Sequence, residues 1–183
     1  MVEFKFHCAM PMFVARQWIR HRTASVNEYS GRYSLMPLLF YTPGQGNFAR
    51  QSRENMQGRG REAVPDALYR EAVERWEQAR KTVAGDYGWL VGEDVARELA
   101  RIDLPLSTYT QWYWKIDLHN LFHFLTLRAA PNAQWEIQEF ARVMARLSWS
   151  AVKSRSRSQA FSKIMPNTDP LIVKGKATCD FKP

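Results

Sequence analysis

The sequence predicts an α+β domain. Two observations lead there: stretches with the period of a strand alternate with stretches of helical period, and 45% of the 183 residues are apolar, enough to build the core of one ordinary domain. Val2, Phe4, Phe6 and Cys8 alternate with Glu3, Lys5 and His7, the pattern of a half-buried strand. Pro11 suits the first turn of a helix from Met12 to about Arg22. From Arg22 to Ser34, Ser25, Asn27, Ser30 and Gly31 mix with charges, as in an irregular functional loop, and Leu35 to Thr42 is apolar enough for a strand. Gln45 to Arg61 is polar and contains glycine, a composition expected of a mobile segment. Asp66 to about Leu90 is the longest helical stretch, with Leu68, Ala72, Trp76 and Ala79 on one face. A short helix is expected over Glu93–Ile102 and a strand over Leu106–Ile116, which is rich in Thr, Tyr and Trp. Asp117 can cap a helix whose apolar stripe is Leu118, Leu121, Phe122 and Leu125. Pro131 begins another, carrying Trp135, Ile137, Phe140 and Met144. After Ser148 the periodicity stops, so residues 1–148 are expected to form the domain and residues 149–183 an atypical, weakly structured basic tail.

Charge and cysteine content narrow the function classes. The formal net charge is +8, which alone would suit a nucleic-acid partner. From Trp149 to Pro183, however, seven Lys/Arg stand against Asp169 and Asp180, so the tail supplies +5 of that charge and the remainder is ordinary for a globular domain. Nucleic acid is therefore not the expected partner. Trp112, Tyr113 and Trp114 read better as a core strand than as a base-stacking platform. Cys8 and Cys179 form no CxxC pair, so neither a disulfide framework nor a zinc knuckle is indicated. No stretch is long and apolar enough to span a bilayer and the start lacks a secretory pattern, so a cytoplasmic protein with no membrane partner is expected.

The segment Arg20-His21-Arg22-Thr23-Ala24-Ser25-Val26-Asn27-Glu28-Tyr29-Ser30-Gly31-Arg32-Tyr33-Ser34 carries the chemistry. Three arginines, one carboxylate and several small hydrogen-bonding groups within it point to a phosphorylated ligand, since guanidinium forks match phosphate oxygens and serine and glycine-flanked amides add donors. An RHR triplet alone would more often be a solvated basic loop. The whole string is far more specific. It resembles, nearly residue for residue, the signature of the flavin-dependent thymidylate synthases, an RHR triplet followed after seven residues by serine, here Arg20-His21-Arg22 and Ser30. The likeness extends through FKFHCAMPMFVARQWIRHR before the signature and ELARIDLPLSTYTQWYWKIDLHNLFHFLTLRAAPNAQWEIQ after it, covering about Val2 to Ser148.

The resemblance implies the family's ThyX-like fold, an antiparallel sheet with packed helices, and its reaction, the reductive methylation of dUMP to dTMP. The carbon would come from the folate methylenetetrahydrofolate, the hydride from reduced FAD, and the electrons for FAD from NADPH. By position, Gln17, Arg20, Glu28, Tyr29, Ser30, Gly31 and Arg32 would hold dUMP, and Arg101 and Arg128 would reach the same nucleotide from a neighbouring subunit. FAD would contact Arg20, His21, Arg22, Asn27 and Glu28 of one subunit and Asp117, His119 and His123 of another, in a homotetramer. The resemblance also implies a further N-terminal region, with a histidine-containing flavin contact, ahead of the segment that begins this chain. Its absence would make the chain a catalytically impaired, truncated homologue.

On a helix starting at Asp117, His119 and His123 share a face, while Arg128, nine residues beyond His119, points about 180° away. One helix could then serve two ligands. An i, i+4 histidine pair is equally a plain helix surface or half a zinc site, but no third ligand or HExxH accompanies it, so no metal is expected. Neither cysteine is placed to add a thiolate to the pyrimidine, so activation should be electrostatic, with Arg128 as the catalytic cation.

Overall fold

The computed structural model describes residues 2–54, 58–153 and 178–180. In chain order the elements are β1 (Glu3–Pro11), α1 (Met12–Trp18), β2 (Ser25–Glu28), β3 (Ala49–Gln51), β4 (Arg59–Ala63), α2 (Asp66–Gly92), α3 (Arg97–Ala100), β5 (Tyr109–Asp117), α4 (Leu118–Arg128), α5 (Trp135–Lys153) and β6 (Thr178–Asp180). The expected α+β class is borne out. Four strands form one sheet in the order β2-β5-β1-β6, and β3 and β4 form a separate antiparallel hairpin. Val2 O accepts from Leu118 N at 3.0 Å and Met12 N donates to Thr108 O at 2.9 Å, so the β1 end that meets late residues comes first and the pair runs antiparallel.

The chain forms two compact units, and β1 and β5 contribute residues to each. Among the described residues the first gathers residues 2–8, Gln17–Asn27, residues 112–153 and 178–180. Its core is aromatic. Trp18 is fully buried among Trp112, Trp114, Phe124 and Phe140, with ring centroids 5.5, 5.3, 5.1 and 5.6 Å away. The inward residues of β5, Trp112, Trp114 and Ile116, alternate with exposed Tyr113 and Lys115, and α4 and α5 add Leu121, Leu125, Ile137, Ala141 and Met144. Asp117 caps α4 as expected, its Oδ1 accepting from Asn120 N at 3.0 Å.

The second unit gathers Ala9–Arg16 and Glu28–Gln111. Met36, Tyr87 and Ala100 form its buried centre, with Met12, Tyr29, Leu38, Leu90, Val91 and Leu104 packed against them, and Tyr87 Oη accepts from Met36 N at 3.0 Å. A helix was expected at Asp66 to about Leu90 and α2 is there, but only Tyr87 of it is buried. Of the expected apolar face, Leu68 and Ala79 are exposed, and Trp76 packs edge-on to Phe48 of the β3 side.

Several expectations are corrected. α1 stops at Trp18, because Ile19 and Arg20 have no core to face and His21 N closes a turn on Trp18 O. The loop expected over residues 22–34 contains β2. Leu35 to Thr42 is not a strand: Pro37 brings no N–H, Leu38 adopts φ 46°, and one bridge between Phe40 and Thr108 remains. Gln45 to Arg61, expected to be mobile, carries a short 3-10 turn (Gln45–Asn47), β3 and the start of β4; its arginine-rich strands show no apolar alternation that would have marked them. Asp94 at φ 58° separates α2 from α3, which shortens the helix expected at Glu93–Ile102. α5 begins at Trp135 rather than Pro131, since Ala130 O accepts from Ala133 N in an intervening turn. It also continues past Ser148 to Lys153, and β6 edges the main sheet; the rest of the expected tail lies outside the described residues. Among the described residues no helix is long and apolar enough to cross a membrane.

Candidate active site

The expected site residues divide between the two units. In the first, α1 carries Gln17, the turn after it carries Arg20, His21 and Arg22, β2 carries Asn27, Asp117 caps α4, and α4 carries His119 in its first turn, His123 at its middle and Arg128 at its end. The packing of Trp18 against Phe124 fixes α1 beside α4 and delivers His21 onto the edge of the Phe124 ring, with centroids 4.9 Å apart. Arg128, the last residue of α4, then donates from Nε to His21 Nε2 at 2.8 Å. Residues 107 apart in sequence thus share one hydrogen bond, and the arginine sits where the helix C-terminus favours a cation. The acceptor role requires a neutral imidazole. Burial first, then the Arg128 cation and His123, lower His21 from its ordinary 6.5 to about 4, so it is neutral at physiological pH. Burial also lowers Arg128 from its ordinary value, and an arginine remains a cation there.

These shifts give a pH dependence of definite sign. The unfolded chain takes up the His21 proton below about 6.5 and the folded chain only near 4, so the unfolded state binds more protons in between and stability falls as pH drops through that window. A proton-NMR titration should find the His21 midpoint near 4, and Arg128→Ala should raise it without restoring 6.5, because burial is the larger cause. A midpoint of 6.5 in the unsubstituted protein would refute the neutral acceptor.

Gln17 Oε1 is buried with no hydrogen-bond partner among the described residues. An unmet buried carbonyl costs free energy unless a ligand donor satisfies it, which fits a side chain held ready for a hydrogen-bonding ligand. Gln17→Met keeps the shape and removes the unmet oxygen. Stability should hold or rise slightly while affinity for dUMP, the ligand that the resemblance implies, falls about tenfold, roughly one hydrogen bond to a ligand, as titration calorimetry beside a thermal melt would show. Unchanged affinity would assign Gln17 to packing. Arg20, Arg22 and Asn27 are exposed, as are His119 and His123 on α4. Asp117 is engaged in its cap: Oδ2 also accepts from Asn120 Nδ2 at 2.6 Å, and these bonds hold its carboxyl below the ordinary range. No cluster of three potential metal ligands occurs among the described residues.

The second unit holds Glu28, Tyr29, Ser30, Gly31, Arg32 and Arg101. Glu28 ends β2, and its Oε1 accepts from Thr110 Oγ1 at 2.7 Å. Tyr29 is anchored at both ends, N to Gln111 O at 2.8 Å and Oη to Leu35 O at 2.6 Å. A tight turn follows, in which Ser30 O accepts from Tyr33 N and Ser34 N while Ser30 Oγ accepts from Arg32 N at 3.3 Å. Gly31 is buried where a Cβ would lie 2.6 Å from Met36 Sδ and 3.2 Å from Arg101 Cδ and Nη1, so a side chain there would have to displace the Met36 sulfur and would crowd the guanidinium. The resemblance implied Arg101 from a neighbouring subunit; within one chain it already lies against Gly31. Glu98, which pairs with Arg32 at 2.8 Å, and Arg97, which donates to Tyr33 O at 2.5 Å, were not expected at this turn. The ELAR stretch held that signal, but a helix offers no hint that its carboxylate finds a partner 66 positions earlier.

The chain as a whole has known counterparts. The family model of the thymidylate synthase complementing protein matches residues 1–152, and the chain belongs to that family. It is 54% identical over 143 residues to the flavin-dependent thymidylate synthase of Treponema denticola, covering 78% of this chain and 54% of that protein. It is 48% identical over 168 residues to the flavin-dependent thymidylate synthase of Thermus thermophilus, covering 88% of this chain and 60% of that protein. The chain spans about half the length of the curated relatives it matches. Among solved structures it is similar to a UMP/dUMP methylase from Streptomyces cacaoi bound with 5-Br UMP, with a TM-score of 0.74 and 30% identity over 90% of this chain and 70% of that one.

Proposed function

We propose that the chain supplies the catalytic residues of a flavin-dependent thymidylate synthase, methylating C5 of dUMP with the one-carbon unit of methylenetetrahydrofolate. The observation that carries this reading is the hydrogen bond from Arg128 to a neutral His21, which joins the signature to the distant LTLRAA helix end. Arg128 spends its Nε on His21 and retains both Nη groups for a ligand. Aimed at N3 and the adjacent carbonyl of the uracil, those donors stabilise the negative charge that must develop on the ring for C5 to act as a nucleophile. His21 holds the guanidinium in orientation, and the buried Gln17 oxygen accepts from the bound nucleotide. Cys8 is fully buried in β1 and cannot reach a pyrimidine.

The turn at Ser30–Arg32 with Arg101 holds the phosphate of dUMP, and Arg128 comes to the same nucleotide from a neighbouring subunit of a homotetramer. FAD fits the donor set left over: exposed Arg20 and Arg22 for its diphosphate and exposed His119 and His123, one turn apart, for polar contacts, with Asn27 and Glu28 nearby in sequence and Asp117 shaping the α4 end. When bound, reduced FAD would supply the hydride that completes the methyl group, and NADPH would re-reduce the oxidised flavin. Tritium release from C5-tritiated dUMP, with FAD, NADPH and methylenetetrahydrofolate present, tests this. Release that depends on all of them supports the proposal, and no release from a chain that binds dUMP and flavin overturns it.

A further inference from the structure

Three residues of one short segment grip three consecutive residues of the serine–glycine–arginine turn. Arg97 Nη1 donates to Tyr33 O at 2.5 Å, Glu98 Oε2 pairs with Arg32 Nε at 2.8 Å, and the Arg101 side chain lies against Gly31, its Cδ and Nη1 3.2 Å from where a Cβ would be. The turn and the segment are thus held together by α3 and the residue after it. Beside them lies a cavity of about 400 Å³ lined by Arg32, Tyr33, Asp94, Arg97 and Glu98, among others. Two of these arginines have different duties: Arg97 is tied to a backbone carbonyl, whereas Arg32 meets a carboxylate.

We infer that Glu98 is a resident counterion on Arg32, displaced when a nucleotide phosphate arrives, and that its charge sets how tightly that phosphate is held. The inference deepens the proposed function and rests on the assignment of this turn to a nucleotide phosphate. Both side chains of the pair are about half exposed, 56% for Arg32 and 49% for Glu98. An ion pair that open to water is held weakly, so a phosphate, with more negative charge than the single carboxylate, outcompetes it. Displacement carries a cost. Glu98 is anchored on α3 and stays within a few ångströms of the incoming dianion, and like charges at that separation repel even in watery surroundings. The arrangement keeps Arg32 extended and partnered while the site is empty, and it limits affinity so that product can leave. Asp94, the other carboxylate lining the cavity, follows the end of α2 and makes no ion pair with Arg32, whose partner is Glu98.

The test measures equilibrium binding to the full chain of dUMP, inorganic phosphate and deoxyuridine, before and after Glu98→Gln, with a thermal melt on each protein. The amide keeps size and hydrogen-bonding capacity and removes the charge. Binding of dUMP and of inorganic phosphate should each tighten about fivefold at low ionic strength, with the gain shrinking at high salt and deoxyuridine binding staying the same. Glu98→Ala should behave alike, which a purely supportive hydrogen bond would not produce. Equal or weaker dUMP binding by Glu98→Gln, with the parent chain binding dUMP normally, overturns the counterion role and leaves the proposed function standing. Failure of the parent chain to bind either dUMP or phosphate overturns both.

Discussion

Trp18→Ala should cost about 3–5 kcal/mol of unfolding free energy, the range for emptying a fully buried large aromatic site. Trp18 has no solvent exposure, and four aromatic rings surround it at centroid distances of 5.1 to 5.6 Å, from β5, α4 and α5. Two of those contacts are edge-on and one is nearly parallel, geometries in which aromatic pairs add to plain area burial. Alanine would leave a cavity that a β-strand and two helices meeting at fixed angles cannot close. Since natural domains are stable by only ~5–15 kcal/mol, the variant should melt far below the parent and lose part of its solubility. Trp18→Phe, which keeps the stack on Phe124, should lose on the order of 1–2 kcal/mol. Chemical denaturation followed by far-ultraviolet circular dichroism decides the matter. A loss below about 1 kcal/mol for alanine would mean that this cluster is not the organising core of its unit.

Arg128→Ala should lower the rate of tritium release from C5-tritiated dUMP by about 100-fold or more, the usual consequence of removing one preorganised donor from developing charge, worth ~3 kcal/mol. The variant should still fold, because Arg128 ends α4 and the core residues Leu121, Phe124 and Leu125 are untouched. Arg128→Lys keeps a charge but has a single donor group, which cannot both hold His21 and face the pyrimidine, so it should recover only part of the rate. The His21 titration separates a chemical loss from a structural one. If His21 in the alanine variant still titrates well below 6.5, the burial that dominates its shift has survived and the lost rate belongs to the guanidinium. Equal rates in parent and variant would remove Arg128 from the mechanism.

How far the sequence discloses these features depends on whether a signal is local. β1 is visible because two of the four alternating positions, Phe6 and Cys8, do face inward, although Val2 is exposed, and the start of α4 because Asp117 is followed three residues later by the amide it caps. The β3–β4 hairpin escapes notice because Arg50, Gln51 and Arg61 stay exposed, so neither strand shows an apolar face. The apolar run at Leu35–Thr42 misleads for the opposite reason, since backbone geometry at Pro37 and Leu38 overrides composition. At the site, the signature from Arg20 to Ser34 is contiguous and can be read directly. The contacts that give it chemistry are not: His21 with Arg128, Arg32 with Glu98, and Glu28 with Thr110 each join residues more than sixty positions apart. Such pairings follow from how the elements pack, which the order of side chains along one strand does not encode.

The packing of Trp18 against Trp112 and Trp114 has an optical consequence. The Trp18 indole lies 5.5 Å from that of Trp112 and 5.3 Å from that of Trp114, centroid to centroid and at steep angles to each, close enough for their electronic transitions to mix. The intact chain should therefore carry an excitonic couplet in the ultraviolet, a label-free signature of its interior that vanishes when that trio separates and stays silent when only the outer loops rearrange.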